Sequence, residues 1–222
     1  MLSTDLAPTC GRLRRGLARR RLVRAARALV GGPASPPSPL GMPPAAFPVR
    51  LEEGGVVLRE LDPADAEAFA RLAGDPAACR YTQVAPVGQA TALRRLTWKL
   101  VRAQQPDRSD YELAVEHEGR FAGTVTLHLR SPGTAELGFW LLPEATGQGL
   151  ALAASTALLR FGADRLDVHR VSATCDVENE RAVALLERLG MVREGHLRHA
   201  VRTHLGWRDR LLYARILDHP GS

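Results

Sequence analysis

The sequence predicts an α/β fold of the α+β kind, with a mixed, mostly antiparallel sheet of six to seven strands and about four flanking helices. Three observations predict it. Short alternating apolar runs recur from Val56 to Leu217, separated by turn residues. Amphipathic helical runs interrupt them in an order that carries no internal repeat. Finally, the stretch from Ala135 to Ala151 joins an apolar run, Pro143, a Gly147-x-Gly149-x-Ala151 turn and an Ala/Leu-rich helix. Strand, glycine turn and helix together aim free backbone N–H groups and a positive helix end at one point.

Each element has its own signal. Val56 to Leu61 reads as a strand, and Asp62-Pro63 starts a helix over about 63–73, with Asp62 as N-cap and Pro63 at the first helical position. Residues 76–90 read as a loop. A helix over about 90–104 turns Leu93, Leu96, Leu100 and Val101 inward. Tyr111 to Glu116 alternates as a strand, Glu118-Gly119 turns it, and Phe121 to Leu129 returns. Ser131-Pro132-Gly133 turns again into a strand over 135–142. A helix over about 149–163, a strand at Val171 to Cys175 and a helix over about 180–189 follow, the last ending at Gly190 as its C′ residue. Two closing strands fit near 191–201 and 209–217.

Composition divides the chain. Residues 1–48 hold eight arginines and one acid, Asp5, for a net +7, while the whole chain carries +6, so the remaining 174 residues are near neutral at −1. Nothing in the body of the chain demands a polyanionic partner. The expected organisation is a basic, Pro/Gly-rich extension over 1–48 and one folded domain over 49–220. The extension, compositionally a disordered segment, has four readings: a solvated arm, an arm touching RNA or the ribosome, a helix on an anionic membrane surface, or an over-extended start with the true initiator at Met42. No apolar run reaches the length of a membrane span. Cys10, Cys79 and Cys175 lie far apart without metal-type spacing, which suits a reducing cytoplasm. The spacing of His196, His199 and His204 does not make a metal set, and no metal is expected.

The glycine turn is neither a dinucleotide fingerprint, which needs a third glycine where Leu152 stands, nor a Walker A loop, which needs Lys-Ser/Thr. Its helix has no strong N-cap apart from Thr146, so the first N–H groups, from Gln148 to Ala151, await an acceptor. Asn179 stands at the entrance of the next helix, across a crevice between two strand ends.

At about 56–217 the chain resembles the GCN5-related N-acetyltransferase (GNAT) superfamily, in its RimJ/RimL-like branch of ribosomal-protein-alanine acetyltransferases. The resemblance rests on Leu58-Arg59-Glu60-Leu61 with Asp65, and on Glu136-Leu137-Gly138-Phe139-Trp140-Leu141 with the glycine turn. It rests further on Val168-His169-Arg170-Val171, Glu178-Asn179-Glu180-Arg181-Ala182, Leu189-Gly190-Met191, Glu194-Gly195-His196-Leu197-Arg198, and Gly206-Trp207-Arg208-Asp209 with Tyr213.

The resemblance implies acetyl-coenzyme A as donor and a primary amine as acceptor, either a protein N-terminus or a small molecule; it leaves a homodimer open. It implies that Leu141 and Leu142 offer backbone groups to the pantetheine arm, that Gly147, Gln148, Gly149, Leu150 and Ala151 cradle the pyrophosphate, and that Asn179 bonds the arm. Asn179 also reads as a plain N-cap. Tyr81 and Trp98 fall in the region that walls the acceptor in this family. Thr146 departs from the usual Gln or Arg and removes a cation or amide from the turn. Leu186 and Ala182 stand where relatives place a proton-donating tyrosine or serine, so no general acid carries over.

Glu136 is the candidate general base, with a solvent-facing strand charge as its alternative reading. An α-amine, at pKa ~7.7–8.0, needs little base help; a lysine, at ~10.4, needs roughly 4 kcal/mol of deprotonation. The weak acid–base equipment therefore suits α-amines or other low-pKa amines. Two competing readings remain: a non-catalytic acyl-CoA-binding module, and a ribosome- or RNA-associated protein acting through its basic tail.

Overall fold

The computed structural model describes residues 47–105 and 107–217; the expectations for the basic extension and its linker fall outside them. Among the described residues eight strands form one sheet: β1 (Arg50–Glu53), β2 (Val56–Glu60), β3 (Asp110–His117), β4 (Arg120–Ser131), β5 (Thr134–Leu141), β6 (Arg170–Asp176), β7 (Val192–Thr203) and β8 (Gly206–Ile216). Their order is β1-β2-β3-β4-β5-β6-β8-β7. Among the described strands only β5 and β6 pair in parallel, which their crossover through a helix allows. Edge strand β1 exceeds the expected six or seven. Its Arg50-Leu51-Glu52-Glu53 is too short and charged to announce itself, and it exists by pairing with β2.

The helices are α1 (Ala66–Gly74), α2 (Pro76–Cys79), α3 (Gln89–Arg102), α4 (Leu150–Leu166) and α5 (Glu180–Arg188). Asp62 is a cap, as its sequence context predicts, but it caps a 3-10 turn over Pro63–Asp65 that feeds α1. Its side chain accepts from Ala64 N, while Asp65 reaches back to Asp62 N, forming a capping box. Asp65 is nearly buried and is held by both terminal nitrogens of Arg59 at 2.8 Å. The segment expected as a plain loop contains α2, capped by Asp75, whose carboxylate accepts from Ala77 and Ala78.

Helices cover both faces. On one, α4 packs Ala154, Ala157, Leu158 and Phe161 with Leu113, Val115, Leu127, Leu137 and Val171 of the sheet. On the other, Phe69 and Ala73 of α1 meet Ala92 and Leu96 of α3 over Leu61 and Ala114. Helix α5 ends in a Schellman motif: Gly190 N bonds Glu187 O and Met191 N bonds Leu186 O, with Leu186 and Met191 both buried.

Candidate functional site

Strands β5 and β6 pair at only three positions, Thr134–Arg170, Ala135–Val171 and Glu136–Ser172. Beyond Glu136 they part, because β6 continues on β8 as far as Asp176–Arg210 while β5 stays on β4 as far as Leu141–Gly123. The split opens toward two helix starts, α4 after β5 and α5 after β6, which is where adjacent parallel strands make a ligand crevice. Leu142 N bonds Ala122 O, and Leu142 O accepts from Ala145 N. Since backbone direction alternates along a strand, Leu141, Phe139 and Leu137 turn their N–H and C=O groups into the split. Of the pair Leu141 and Leu142, Leu141 is thus the one whose backbone faces the opening.

The glycine turn stands at the head of the split. Gly147 and Gly149 both have φ of +80°, a backbone that L side chains rarely adopt. A Cβ at either would meet nothing within 4 Å, so open space lies over the turn. The first bond of α4 runs from Ala153 N to Gly149 O, and α4 has no side-chain cap. The N–H groups from Gln148 to Leu152 therefore make no hydrogen bond among the described residues. Gln148 turns its own side chain back to Glu144 O at 2.7 Å.

Thr146 ties the turn: its hydroxyl donates to Pro143 O at 2.8 Å and accepts from Arg181 Nη1 at 3.1 Å. Arg181 of α5 thereby places a cation beside the turn. Asn179 N-caps α5, its Oδ1 accepting from Ala182 N at 3.2 Å. The plain cap reading describes the oxygen, and the Nδ2 amide is what Asn179 has left to give a ligand. Ala182 and Leu186 are buried in the core, so neither place supplies a proton donor.

Asp176, at the end of β6, builds the turn into α5. It is 1 % exposed; Glu178 N and Asn179 N bond its Oδ1 and main-chain O, and Arg208 Nε and Nη2 grip its carboxylate at 2.9 Å each. Burial pushes this carboxyl up, but the Arg208 fork and the Glu178 N–H outweigh it and hold it below the ordinary carboxylate value.

Register places Asp110, His128, Glu136 and Ser172 opposite one another on four successive strands, hence in one row on one face. Glu136 sits at the apex of the split, and Arg130 binds its Oε2 through Nε at 3.0 Å and through Nη2. His128 Nδ1 contacts Asp110 Oδ1, and this bond, ahead of an opposing burial effect, lowers the Asp110 carboxyl. The His128–Asp110 pair beside Glu136 went unseen in the sequence, because cross-strand neighbours carry no local spacing.

Tyr81 and Trp98 are not brought together. Tyr81, with Arg80 stacked 5.1 Å from its ring centre, belongs to a strap that crosses the open end of the split. Trp140 Nε1 of β5 bonds Ala78 O at 3.0 Å, and Arg210 Nη1 of β8 bonds Tyr81 O at 3.1 Å. Trp98 lies on α3 and is 59 % exposed, beside Leu61, Arg102 and Glu112. His196 pairs with Asp209 at 2.7 Å and His199 stacks on Trp207. A separate groove of about 360 Å³ runs between β1 and the C-terminal half of α4, lined by Leu51, Glu53, Arg160 and Phe161, away from the turn.

The sequence model of the acetyltransferase (GNAT) domain matches residues 56–192. The chain belongs to this family. GNAT relatives include the ribosomal-protein-serine acetyltransferase of Escherichia coli (strain K12), 32% identical over 103 residues, which are 46% of this chain and 58% of that one. The spermidine N(1)-acetyltransferase of the same organism is 30% identical over 150 residues, 65% of this chain and 76% of that one. Two Bacillus subtilis relatives are matched over only 64% and 48% of their own length. Mycobacterium smegmatis RimJ, solved in complex with CoA-disulfide, superposes with a TM-score of 0.64 at 25% identity, covering 81% of this chain and 90% of that one. Acetyl-coenzyme A is the GNAT donor, and the unpartnered amides over an open glycine turn are the donor set that a pyrophosphate requires.

Proposed function

We propose that the protein transfers the acetyl group of acetyl-coenzyme A to a primary amine, and that the amine is a protein N-terminal α-amine in preference to a lysine. One observation carries this reading: the β5–β6 split, with Glu136 at its apex, leads straight to the turn of unpartnered amides. Amides from Gln148 to Ala151 would hold the pyrophosphate, the Leu141 backbone the pantetheine arm, and Asn179 Nδ2 the same arm from the opposite side. Arg181 would add the positive charge. The thioester supplies an activated acyl carbon; the protein supplies position, worth up to ~7–11 kcal/mol when alignment is good.

The acceptor nitrogen forms its bond to the acyl carbon as the carbon–sulfur bond breaks. The proton that the nitrogen sheds after attack passes to solvent, and the thiolate, with a thiol pKa near ~8.5, leaves with little acid help. This matches a core in which Leu186 and Ala182 offer no acid. A backbone N–H in the split would polarise the carbonyl. Glu136 would draw a proton from the ammonium form of the amine, with Arg130 holding its other oxygen.

The test is coenzyme A release with Ala- and Ser-starting peptides, lysine peptides and spermidine side by side. The expected result is turnover of α-amine peptides, with Glu136→Gln lowering kcat about 10²-fold or more at neutral pH and less at high pH. Coenzyme A binding without turnover of any acceptor would overturn transfer and favour a non-catalytic acyl-CoA-binding module.

A further inference from the structure

Arg210 is an unusual arginine. It is 5 % exposed, and its Nη1 is spent on Tyr81 O. Its Nε is buried without a hydrogen-bond partner, and Nη2 makes none among the described residues. Those two nitrogens form the side of the guanidinium that grips a carboxylate through two parallel bonds. Its neighbour Arg208 uses that very side on Asp176, at 2.9 Å twice. Asp176 stands opposite Arg210 in register and on the same face, but Arg208 and Glu178 N already engage both its oxygens. Asp176 offsets part of the Arg210 charge through space, but a buried guanidinium whose fork makes no hydrogen bond is still costly to keep. Arg210 shares a face with Glu136 and Trp140, and it anchors one end of the strap whose other end Trp140 holds across the open split.

We propose that the free fork of Arg210 selects the acceptor: it binds a carboxylate carried by the amine substrate, so that acidic acceptors are taken and polycations such as spermidine refused. This rests on the acetyl-transfer reading of the split and names the substrate class within it. The carboxylate can come from an acidic side chain near a peptide N-terminus or from the main-chain carboxylate of a free amino acid. One chemistry serves both, because the fork reads two coplanar oxygens and nothing beyond them.

The experiment compares Ala-Asp-, Ala-Gln- and Ala-Lys-starting peptides, free glutamate and spermidine, on wild type, Arg210→Gln and Arg210→Lys. Wild type is expected to prefer the Ala-Asp over the Ala-Gln peptide by about 10- to 100-fold in kcat/KM, carried by KM, as two charge-assisted bonds would give. R210Q should erase that ratio while coenzyme A affinity holds, with the thermal midpoint lowered by the lost bond to Tyr81 O. R210K, which keeps the buried charge but not the fork, should retain only part of it. Loss of glutamate turnover in R210Q with an unchanged peptide ratio would assign the fork to a main-chain carboxylate. No acid preference in wild type, an unchanged acid preference in R210Q for peptide and glutamate alike, or spermidine as the better substrate would overturn the proposal. If nothing is acetylated, the transfer reading falls instead. Equilibrium binding of the Ala-Asp and Ala-Gln peptides to the protein–coenzyme A complex then decides the role of Arg210 by itself: tighter binding of the acidic peptide in wild type alone supports it, and equal binding overturns it.

Discussion

Thr146 and Arg181 show how one residue's loss is met by another's reach. The turn has Thr146 at its head and its one amide side chain, Gln148, is bonded back to Glu144 O, so the cation beside it is Arg181, bonded to the Thr146 hydroxyl. Arg181→Ala is expected to weaken coenzyme A about 3- to 10-fold by calorimetric titration, modest because the residue is exposed, and the difference should shrink as salt rises. Gly149 is a second point of economy. Its φ of +80° is the cost a side chain would meet, since space over it is open. Gly149→Ala should therefore lose about 1 kcal/mol in urea denaturation from backbone strain alone. Asn179 illustrates the limit of residue-by-residue reading: cap and ligand roles compete for a side chain in the sequence, and the structure shows Oδ1 serving the cap, which leaves only Nδ2 for a ligand.

Elements set the width of the split. Strand β5 leaves β6 after three pairs because each has a partner on its other side, and the strap from Ala78 to Tyr81 bridges the gap that results. Trp140→Phe keeps a ring against Phe69, now 6.3 Å away edge-on, and removes the bond to Ala78 O. The expected cost is about 1 kcal/mol of stability. The acceptor KM should rise while coenzyme A affinity stays, because the strap bonds to β5 and β8 and not to the glycine turn. Gly123 fixes the other wall: a Cβ there would lie 2.3 Å from Trp140 O, so β4 and β5 can approach at the lip only without a side chain. The short helix α2 was hidden by its four-residue length, which leaves no room for periodicity, although its Asp75-Pro76 start is an ordinary capping signal.

For the whole molecule, buried carboxylates tie stability to pH. Asp176 has its native pKa held below the ordinary value near ~3.9, so the unfolded chain binds its proton more readily. Its contribution is complete above about pH 5 and is lost as pH falls through ~4 toward the native value. Asp176→Asn should lose about 3 kcal/mol at neutral pH, leaving Arg208 without its buried partner, and should show a shallower acid dependence in denaturation series run from pH 6 to 3. The order of elements apart from β1 and α2, the caps at Asp62 and Gly190, the glycine turn and the family resemblance were all legible in the sequence, because each is written in local periodicity, a turn residue or a fixed spacing. The turn at the head of the split was legible for the same reason: a strand, a turn and a helix start are contiguous. The contacts between separate elements were not. Edge strand β1, the row from Asp110 to Ser172, the Arg181–Thr146 bond and the empty fork of Arg210 join residues from separate elements. Such meetings depend on sheet order and register, which are settled when the whole core packs, and only the tertiary structure decides them.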